Sequence, residues 1–339
     1  MTFRILSLDG GGIRGVVTAT MLIEVERQIK QLTGQSLQQY FDLFVGTSTG
    51  SILAAALAAG YTAQTLVDLY KENGATIFPR DNHLLNRWSL IHKNPANFIN
   101  PQYSDEGLIK VLQEQLPRKN LGDLLPKLVL ITSYDTIHRR PIVLKNWEEE
   151  YKNIPIWEAC VCSASAPTFF PAHGLTIGNQ DYSAIDGGMF AGNPSICAIA
   201  EATNLIQHYA TDYPTLNCPS LQQSAENGQE IALLSLGTGR FTRSISLEDA
   251  RDWGLIKWAG PLVDIMFGSS STINDEIAKK LIDPHDYYLR LQFDLTDVNE
   301  DMDDASEKNI NHLIVATQNY LEDGTKPKIS HFIQAGSSS

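Results

Sequence analysis

Hydrophobic residues follow two alternating patterns along this chain. Short apolar runs with the length of buried strands occupy residues 3–8, 41–45, 182–185 and 230–236, and segments 127–132 and 141–145 predict a further strand pair. Between the strands, apolar side chains recur at helical spacing; in segment 13–32, Val17, Met21, Val25 and Ile29 stand four residues apart. Further helices are predicted at 51–59, 62–73, 108–116, 156–162 and 196–209. This alternation predicts an α/β fold with a mostly parallel central sheet and helices on both faces.

Glycine-rich segments follow three of the predicted strands. Gly10-Gly11-Gly12 follows the first strand, Gly46-Thr47-Ser48-Thr49-Gly50 follows the second, and Asp186-Gly187-Gly188 follows the strand at 182–185. In parallel α/β sheets, the functional site lies beyond the carboxyl ends of the strands. The three segments are therefore expected to lie close together in one site.

The pentapeptide that ends at Gly50 has the form G-x-S-x-G, with Ser48 at its centre. It lies between an apolar strand and an alanine-rich helix, which is the context of a nucleophile elbow. The two glycines allow strand and helix to approach each other closely, because a Cβ on either side of the serine would collide. The sequence thus predicts Ser48 as a nucleophile at the carboxyl end of a strand.

The triple glycine allows several interpretations. Together with Gly15 it fits the dinucleotide-binding pattern G-x-G-x-x-G, but the second strand lacks the acidic residue that would bind a ribose. A P-loop is excluded because Gly15 is followed by two valines rather than by Lys and Ser or Thr. Backbone N–H groups at a helix N-terminus suit a developing oxyanion, so Gly10, Gly11 and Gly12 are predicted to form an oxyanion hole.

A serine nucleophile needs a general base. None of the eight histidines occupies the late position typical of a Ser-Asp-His triad, and His173 is the nearest candidate. Asp186 is the better candidate, because it ends an apolar strand and two glycines after it allow close approach of other backbone. Removal of this carboxylate from water would raise its basicity.

Composition narrows the class of protein. A formal charge of −13 disfavours constitutive binding to a nucleic-acid polymer or an anionic membrane surface. The four cysteines suggest no disulfide framework, no apolar run reaches the length of a spanning helix, and the N-terminus leaves no room for a secretory signal. A cytoplasmic enzyme of bacterial type is predicted. The late acidic residues are interpreted as a solvated loop before a helix: Asp294, Asp297, Glu300, Asp301, Asp303, Asp304 and Glu307.

These motifs together resemble the patatin-like phospholipases, in the order typical of that family. The matching blocks are Asp9-Gly10-Gly11-Gly12-Ile13-Arg14-Gly15, Gly46-Thr47-Ser48-Thr49-Gly50, Ser163-Ala164-Ser165-Ala166-Pro167 with Phe169, Phe170 and Pro171, Asp186-Gly187-Gly188, and Ser235-Leu236-Gly237-Thr238-Gly239. Gly192-Asn193-Pro194 is also similar to the family. The resemblance implies a three-layer patatin-like fold in one domain over 1–339, with a motif core at 3–240 and C-terminal helices and a strand at 241–339 completing or covering it.

The resemblance also implies a mechanism. It implies a Ser-Asp dyad with Ser48 as nucleophile and Asp186 as base, an oxyanion hole from the triple-glycine loop, and no metal or organic cofactor. Arg14 is expected either to orient that loop or to contact a substrate phosphate. The implied substrate is a glycerolipid, cleaved as by a phospholipase A-type esterase, with neutral acylglycerols and galactolipids left open.

Two amphipathic stretches are candidates for contact with a lipid surface. Segment 82–98 mixes apolar and basic groups and includes Leu84, Leu85 and Trp88, which are predicted as a lid or membrane-docking surface at the inner membrane face. Segment 253–267 is the second candidate. Ordinary core packing or a simple lid is the alternative for both stretches.

Two other functions remain open at this point. The same hydrolase fold could act as a membrane-degrading effector in a bacterial defence system, switched on by a nucleotide, although no motif identifies an activator site. A nucleotide-binding dehydrogenase depends on G-x-G-x-x-G alone and lacks the acidic partner. A lipid acyl hydrolase is the leading hypothesis.

Overall fold

One eight-stranded sheet runs through the part of the chain that the structure describes. The structure is a computed structural model that describes residues 2–79, 101–227, 230–282, 285–296 and 298–337. The strands are β1 (Phe3–Leu8), β2 (Leu43–Thr47), β3 (Leu128–Asp135), β4 (Arg140–Lys145), β5 (His173–Ile177), β6 (Gln180–Asp186), β7 (Ile231–Leu236) and β8 (Tyr288–Leu291). Their order is β5-β6-β3-β2-β1-β7-β8, with β4 paired to β3.

Helices cover both faces of the sheet. They are α1 (Gly15–Thr33), α2 (Leu37–Tyr40), α3 (Thr49–Ala58), α4 (Ala63–Ile77), α5 (Glu106–Gln115), α6 (Ile156–Ala164), α7 (Gly188–Ala191), α8 (Ser195–Asp212), α9 (Pro219–Asn227), α10 (Leu247–Asp252), α11 (Leu255–Leu281), α12 (Glu307–Glu322) and α13 (Thr325–Ala335). Parallel pairing joins β1 to β2, β1 to β7, β2 to β3 and β7 to β8. The predicted α/β fold with a mostly parallel sheet flanked by helices is confirmed.

The buried strands separate two hydrophobic cores. In β1, Leu6 and Leu8 pack into the core that also includes the apolar residues of α1 and α3. Phe3 and Ile5 point to the opposite face and pack into the core beneath α8. Because successive side chains of a strand point to opposite faces, an uninterrupted apolar strand can serve two cores at once.

The antiparallel part of the sheet brings β2 and β6 together. β3 pairs with β2 over Leu128–Thr132 and with β6 over Ser133–Asp135, and its other edge is occupied by β4 over Leu130–Asp135. β2 and β6 must therefore share the same edge of β3. Since β2 runs parallel to β3 and β6 runs antiparallel, their carboxyl ends meet at adjacent β3 residues, with Thr47 opposite Thr132 and Asp186 opposite Ser133.

Element boundaries differ from prediction at several places. β2 begins two residues later than predicted and extends to Thr47, and α4 continues to Ile77. His173, the nearest histidine candidate for a base, begins β5. The acidic segment does precede a helix, α12, but the solvated interpretation is wrong for part of it. Glu300 is buried and accepts hydrogen bonds from the Thr242 hydroxyl and backbone N–H, because a folded loop rather than water surrounds it.

A buried ion pair between Arg290 of β8 and Asp9 connects β8 to the loop after β1. The Arg290 guanidinium donates to both carboxylate oxygens of Asp9, with Nη1 at 2.8 Å from Oδ1, and Ser271 Oγ donates to Oδ2 at 2.9 Å. The two side chains are only 7% and 3% exposed. Burial raises the pKa of Asp9, while Arg290 opposes that shift. Asp9 directly precedes the triple glycine, so this ion pair fixes the position of that loop.

We predict that Arg290→Met destabilises the protein by about 3–5 kcal/mol, because it leaves a buried carboxylate without its partner. Arg240→Met is the matched control. The Arg240–Asp294 pair is 57% and 56% exposed, and exposed pairs contribute about 0–1 kcal/mol. Urea unfolding of both variants measures the difference in the free energy of unfolding. An equal and small loss of unfolding free energy in the two variants would contradict a stabilising role of the buried ion pair.

Candidate active site

Ser48 occupies a strained turn between β2 and α3. Its φ of 54° and ψ of −125° are unfavourable for a residue with a side chain. A Cβ at Gly46 would lie 2.1 Å from the Gly50 carbonyl oxygen, and a Cβ at Gly50 would lie 2.2 Å from that of Leu8. The turn is therefore possible only with glycine at both positions, as the G-x-S-x-G pattern predicted.

Two neighbouring serine hydroxyls stabilise this turn by hydrogen bonds to the backbone of Ser48. The Ser48 N–H donates to Ser163 Oγ at 2.8 Å, and Ser163 Oγ in turn donates to the Thr132 carbonyl at 2.6 Å. Ser51 Oγ donates to the Ser48 carbonyl at 2.6 Å. These bonds engage the backbone of Ser48 and leave its hydroxyl directed to the same cavity as Asp186.

Asp186 is fully buried at the end of β6. Its Oδ1 accepts a hydrogen bond from the Gly188 N–H at 2.7 Å. Its Oδ2 is buried and, in the part of the chain that the structure describes, has no hydrogen bond of standard geometry. A buried carboxylate oxygen without a donor is costly, which makes it a candidate for a chemical role.

Burial raises the pKa of Asp186 to about 7, and the Ser48 hydroxyl and the Gly188 N–H oppose that shift. The Ser48 hydroxyl is thus close enough to affect the carboxylate, although no hydrogen bond of standard geometry joins them. A pKa near neutrality suits a general base, because the group is then both deprotonated and basic at the working pH.

The triple-glycine loop lies beside Ser48. The Gly10 N–H already donates to the Gly192 carbonyl at 2.9 Å, so it is not available in this conformation. Within the described residues, the N–H groups of Gly11 and Gly12 donate no hydrogen bond. Gly12 has a φ of +58°, and a Cβ there would lie 2.2 Å from the Met302 carbonyl oxygen. Two backbone donors of the predicted three are therefore free.

Arg14 is buried behind this loop. Its Nε donates to the Gly11 carbonyl at 3.4 Å, and its Nη1 donates to the Gly239 carbonyl at 3.5 Å. Its guanidinium also lies over the Phe241 ring, 4.0 Å from the centroid. Burial lowers the pKa of Arg14 to about 10, so the group stays charged at neutral pH. The contact with Gly11 supports the predicted role in orienting the loop.

Ser48 and Asp186 line a narrow apolar cavity of about 40 Å³. Most of its wall consists of apolar side chains, namely Ile13, Ile52, Tyr70, Ile77, Phe78, Leu108, Ala164, Ala166, Phe169, Phe170, Phe267 and Met302. Phe267 of α11 closes one side, since a Cβ at Gly10 would lie 2.7 Å from its ring and a Cβ at Gly188 only 2.0 Å from it. The ring therefore narrows the space beside Ser48 that is available to a fatty-acyl chain.

Other predicted residues lie elsewhere. His173 is not part of the cavity wall; its Nε2 lies 3.6 Å from Glu158 and its ring is edge-on to Trp157. Leu84, Leu85 and Trp88 lie outside the described residues. In the second amphipathic stretch, Phe267 lines the cavity and Val263 is buried in the same small apolar cluster. Neighbouring side chains of α11 are exposed: Leu262, Ile265 and Met266.

The sequence placed Phe267 only at the end of a stretch predicted for lipid contact, and Met302 was not predicted at all, because neither residue lies in a motif. Ser163 did lie in a block that matched the family, but its contact with the Ser48 N–H was not predicted. Among the described residues, no group of three or more His, Cys, Asp and Glu side chains is arranged to hold a metal ion. Over the same residues, no helix has both the length and the apolar character needed to cross a bilayer.

Comparison with known proteins matches this chain to one family. The family described as patatin-like phospholipase matches residues 6–196, more than half of the chain. Patatin-like protein 2 of Oryza sativa subsp. indica is 28% identical over 91% of this chain and 81% of its own length. Patatin-T5 of Solanum tuberosum is 29% identical over 94% and 83%.

A third relative, named as probable inactive patatin-3-Kuras 1 of Solanum tuberosum, is 31% identical over 94% of this chain and 86% of its own length. A solved structure, VipD from Legionella pneumophila, aligns with a TM-score of 0.38 and 12% identity over 94% of this chain and 67% of that chain. The family match and the plant relatives identify the protein: this chain belongs to the patatin-like phospholipase family.

Proposed function

We propose that this chain is a phospholipase A-type lipid acyl hydrolase that cleaves fatty-acyl esters of membrane glycerolipids with Ser48 as nucleophile and Asp186 as base. Membership of the patatin-like phospholipase family supports hydrolysis of lipid acyl esters in general. The observation that carries the finer proposal is the free Oδ2 of Asp186, buried in the same cavity as a serine held in a strained turn.

Acylation begins when Ser48 Oγ attacks the ester carbonyl carbon. The Asp186 carboxylate takes the hydroxyl proton, and the carbonyl oxygen becomes an oxyanion. We assign the N–H groups of Gly11 and Gly12 as its donors; such donors contribute about 2.7–4 kcal/mol each to the transition state. When the intermediate collapses, Asp186 returns the proton to the departing alcohol, and the fatty-acyl group remains on Ser48.

Deacylation repeats these steps with water. Asp186 takes a proton from the water molecule as its oxygen attacks the acyl carbonyl carbon, and the proton then passes to Ser48 Oγ as the fatty acid leaves. The dyad needs no third residue to orient its base, because the Asp186 carboxylate is fixed by β6 and by the Gly188 N–H.

The substrate class follows from the shape and polarity of the cavity. Its apolar wall fits an acyl chain, and α11, which carries Phe267 into the site, also exposes Leu262, Ile265 and Met266. We propose that this exposed part of α11 makes transient contact with the lipid surface from which the substrate comes. Neutral acylglycerols and galactolipids would place their acyl chains in the same pocket. The cytoplasmic location of the protein remains a prediction.

A second candidate is the same hydrolase as a ligand-activated, membrane-degrading effector. The observation that favours it is the narrowness of the cavity, about 40 Å³, because a cavity of this volume must widen before a long acyl chain can bind. A nucleotide activator remains a prediction from the sequence alone, without a motif to support it.

Ser48→Ala and Asp186→Asn should each lower hydrolysis of p-nitrophenyl butyrate and of phosphatidylcholine liposomes by about 10³-fold or more, because each removes one half of the dyad. Asparagine can still accept the hydrogen bond from Gly188, so the second variant should fold. Ser104→Ala, a surface change before α5, is the control. Wild-type rates in the Asp186→Asn protein would remove Asp186 from the mechanism.

The pH profile should report the pKa of Asp186. Because the carboxylate is the base, kcat/KM for p-nitrophenyl butyrate should be level above pH 7 and fall by about tenfold per pH unit below it. Far-UV circular dichroism at each pH shows whether the fold persists. A rate that stays constant from pH 5 to pH 8 in folded protein would contradict a base with this pKa.

Phe267→Ala should raise kcat/KM for p-nitrophenyl butyrate severalfold, because the ring no longer narrows the site. The same change should lower the free energy of unfolding by about 3–5 kcal/mol, since a buried ring is removed. Met266→Ala, at an exposed position of the same helix, should alter neither quantity strongly. A rate unchanged or reduced in folded Phe267→Ala protein would show that the ring does not obstruct the substrate.

A further inference from the structure

A cleft of about 1010 Å³ lies directly beside the catalytic cavity. The two share the Phe267 side chain as a wall, and the cleft also borders Gly10 of the triple-glycine loop. On its other side it is lined by one face of α11, including Pro261, Asp264 and Gly268. An ester held at Ser48 would therefore extend its polar end into this cleft once Phe267 moves.

Three arginines line the cleft, and two of them already have carboxylate partners. Arg240 pairs with Asp294 at 2.7 Å, and Arg243 pairs with Asp301 at 2.7 Å. Arg14 differs. In the described part of the chain, no carboxylate lies within 4.0 Å of its guanidinium, and its two hydrogen bonds to carbonyls are long. It is also almost fully buried, so water does not compensate its charge well.

Four carboxylates line the same cleft, and three of them have partners. Asp9 pairs with Arg290, Glu276 pairs with Lys279, and Asp249 accepts a hydrogen bond from Ser246 Oγ. Asp264 is half-buried and, among the residues described, has neither a hydrogen bond nor an ion pair.

Arg14 and Asp264 influence each other without forming a pair. The attraction of Arg14 lowers the pKa of Asp264, while burial raises it more, to about 6. Asp264 is therefore mostly ionised at pH 7 and above. The cleft thus holds a cation beside the triple-glycine loop and an anion on α11 that attract each other, and among the described residues neither is in ion-pair contact with an opposite charge.

We propose that this cleft is the head-group subsite and that it takes a zwitterionic phospholipid head group, with the phosphate on Arg14 and the ammonium on Asp264. This inference rests on the proposed function, because it assumes that the ester lies at Ser48. A phosphate beside Arg14 gains a charge-assisted hydrogen bond, and the ammonium that follows it in the head group reaches a carboxylate.

The charges also exclude other head groups. A polyphosphate or the anionic glycerol head group would pair with Arg14, but Asp264 would stay unpaired and would repel the negative ligand. A neutral sugar would pair with neither charge. The Trp253 side chain also lines the cleft, and an indole ring can bind an alkylammonium group. One cation and one anion, neither in ion-pair contact, match a ligand that carries one charge of each sign.

The test compares dioleoyl phosphatidylethanolamine with dioleoyl phosphatidylglycerol in mixed detergent micelles at equal surface fraction. Wild type should prefer the ethanolamine lipid, and Asp264→Asn should lower the ratio of the two kcat/KM values by about tenfold, the effect of losing one charged hydrogen bond. Asp264→Glu should retain the preference. Asp252→Asn, which removes an equal charge from an exposed position of α10, should leave the ratio unchanged.

A binding measurement separates this inference from the proposed function. Calorimetric titration of Ser48→Ala protein, with and without Asp264→Asn, uses glycerophosphoethanolamine and glycerophosphoglycerol as soluble probes. Selective binding of the first probe that Asp264→Asn abolishes supports the subsite, even where wild type releases no fatty acid and the proposed function fails. Equal binding of both probes, or an Asp264→Asn protein with an unaltered lipid ratio, would overturn the head-group assignment while leaving hydrolysis intact.

Discussion

The candidate site depends on two strands that share one edge of β3. β2 and β6 run toward each other along that edge, and their ends pair with Thr132 and Ser133. This arrangement places the residue after β2, Ser48, beside the last residue of β6, Asp186. A wholly parallel sheet could not produce the same meeting, because all carboxyl ends would then lie side by side rather than end to end. The antiparallel hairpin of β5 and β6 thus supplies the proposed base.

The site concentrates unfavourable features that the rest of the fold must hold in place. Ser48 has strained dihedral angles, Asp186 is buried with one oxygen unpaired, and the triple-glycine loop leaves backbone donors unbonded. Each feature costs stability, and each has a role in the proposed mechanism. The compensation lies just outside the site, in the Asp9–Arg290 ion pair and in the Ser163 hydroxyl that binds the Ser48 N–H.

The sequence predicted those parts of the site that local chemistry determines. Glycines around Ser48 and after Asp186 mark tight backbone contacts, and apolar strands before them predicted the sheet. The sequence did not predict the contacts between residues that only tertiary packing brings together. Arg290 lies 281 residues from Asp9 in sequence, and Phe267 reaches the site from a long helix without any motif. In the sequence, Glu300 could not be told from its acidic neighbours that are exposed to water, because its burial depends on the folded loop around it.

The central claim, that Asp186 activates Ser48, is tested most directly by labelling with a fluorophosphonate probe followed by mass mapping of the peptides. Serine attack on the phosphorus atom requires the same deprotonation as attack on an ester, and it needs no lipid surface. The account predicts a single adduct on Ser48 in wild type and a greatly reduced labelling rate in Asp186→Asn protein. An adduct on another residue, or equal labelling rates in the two proteins, would contradict it.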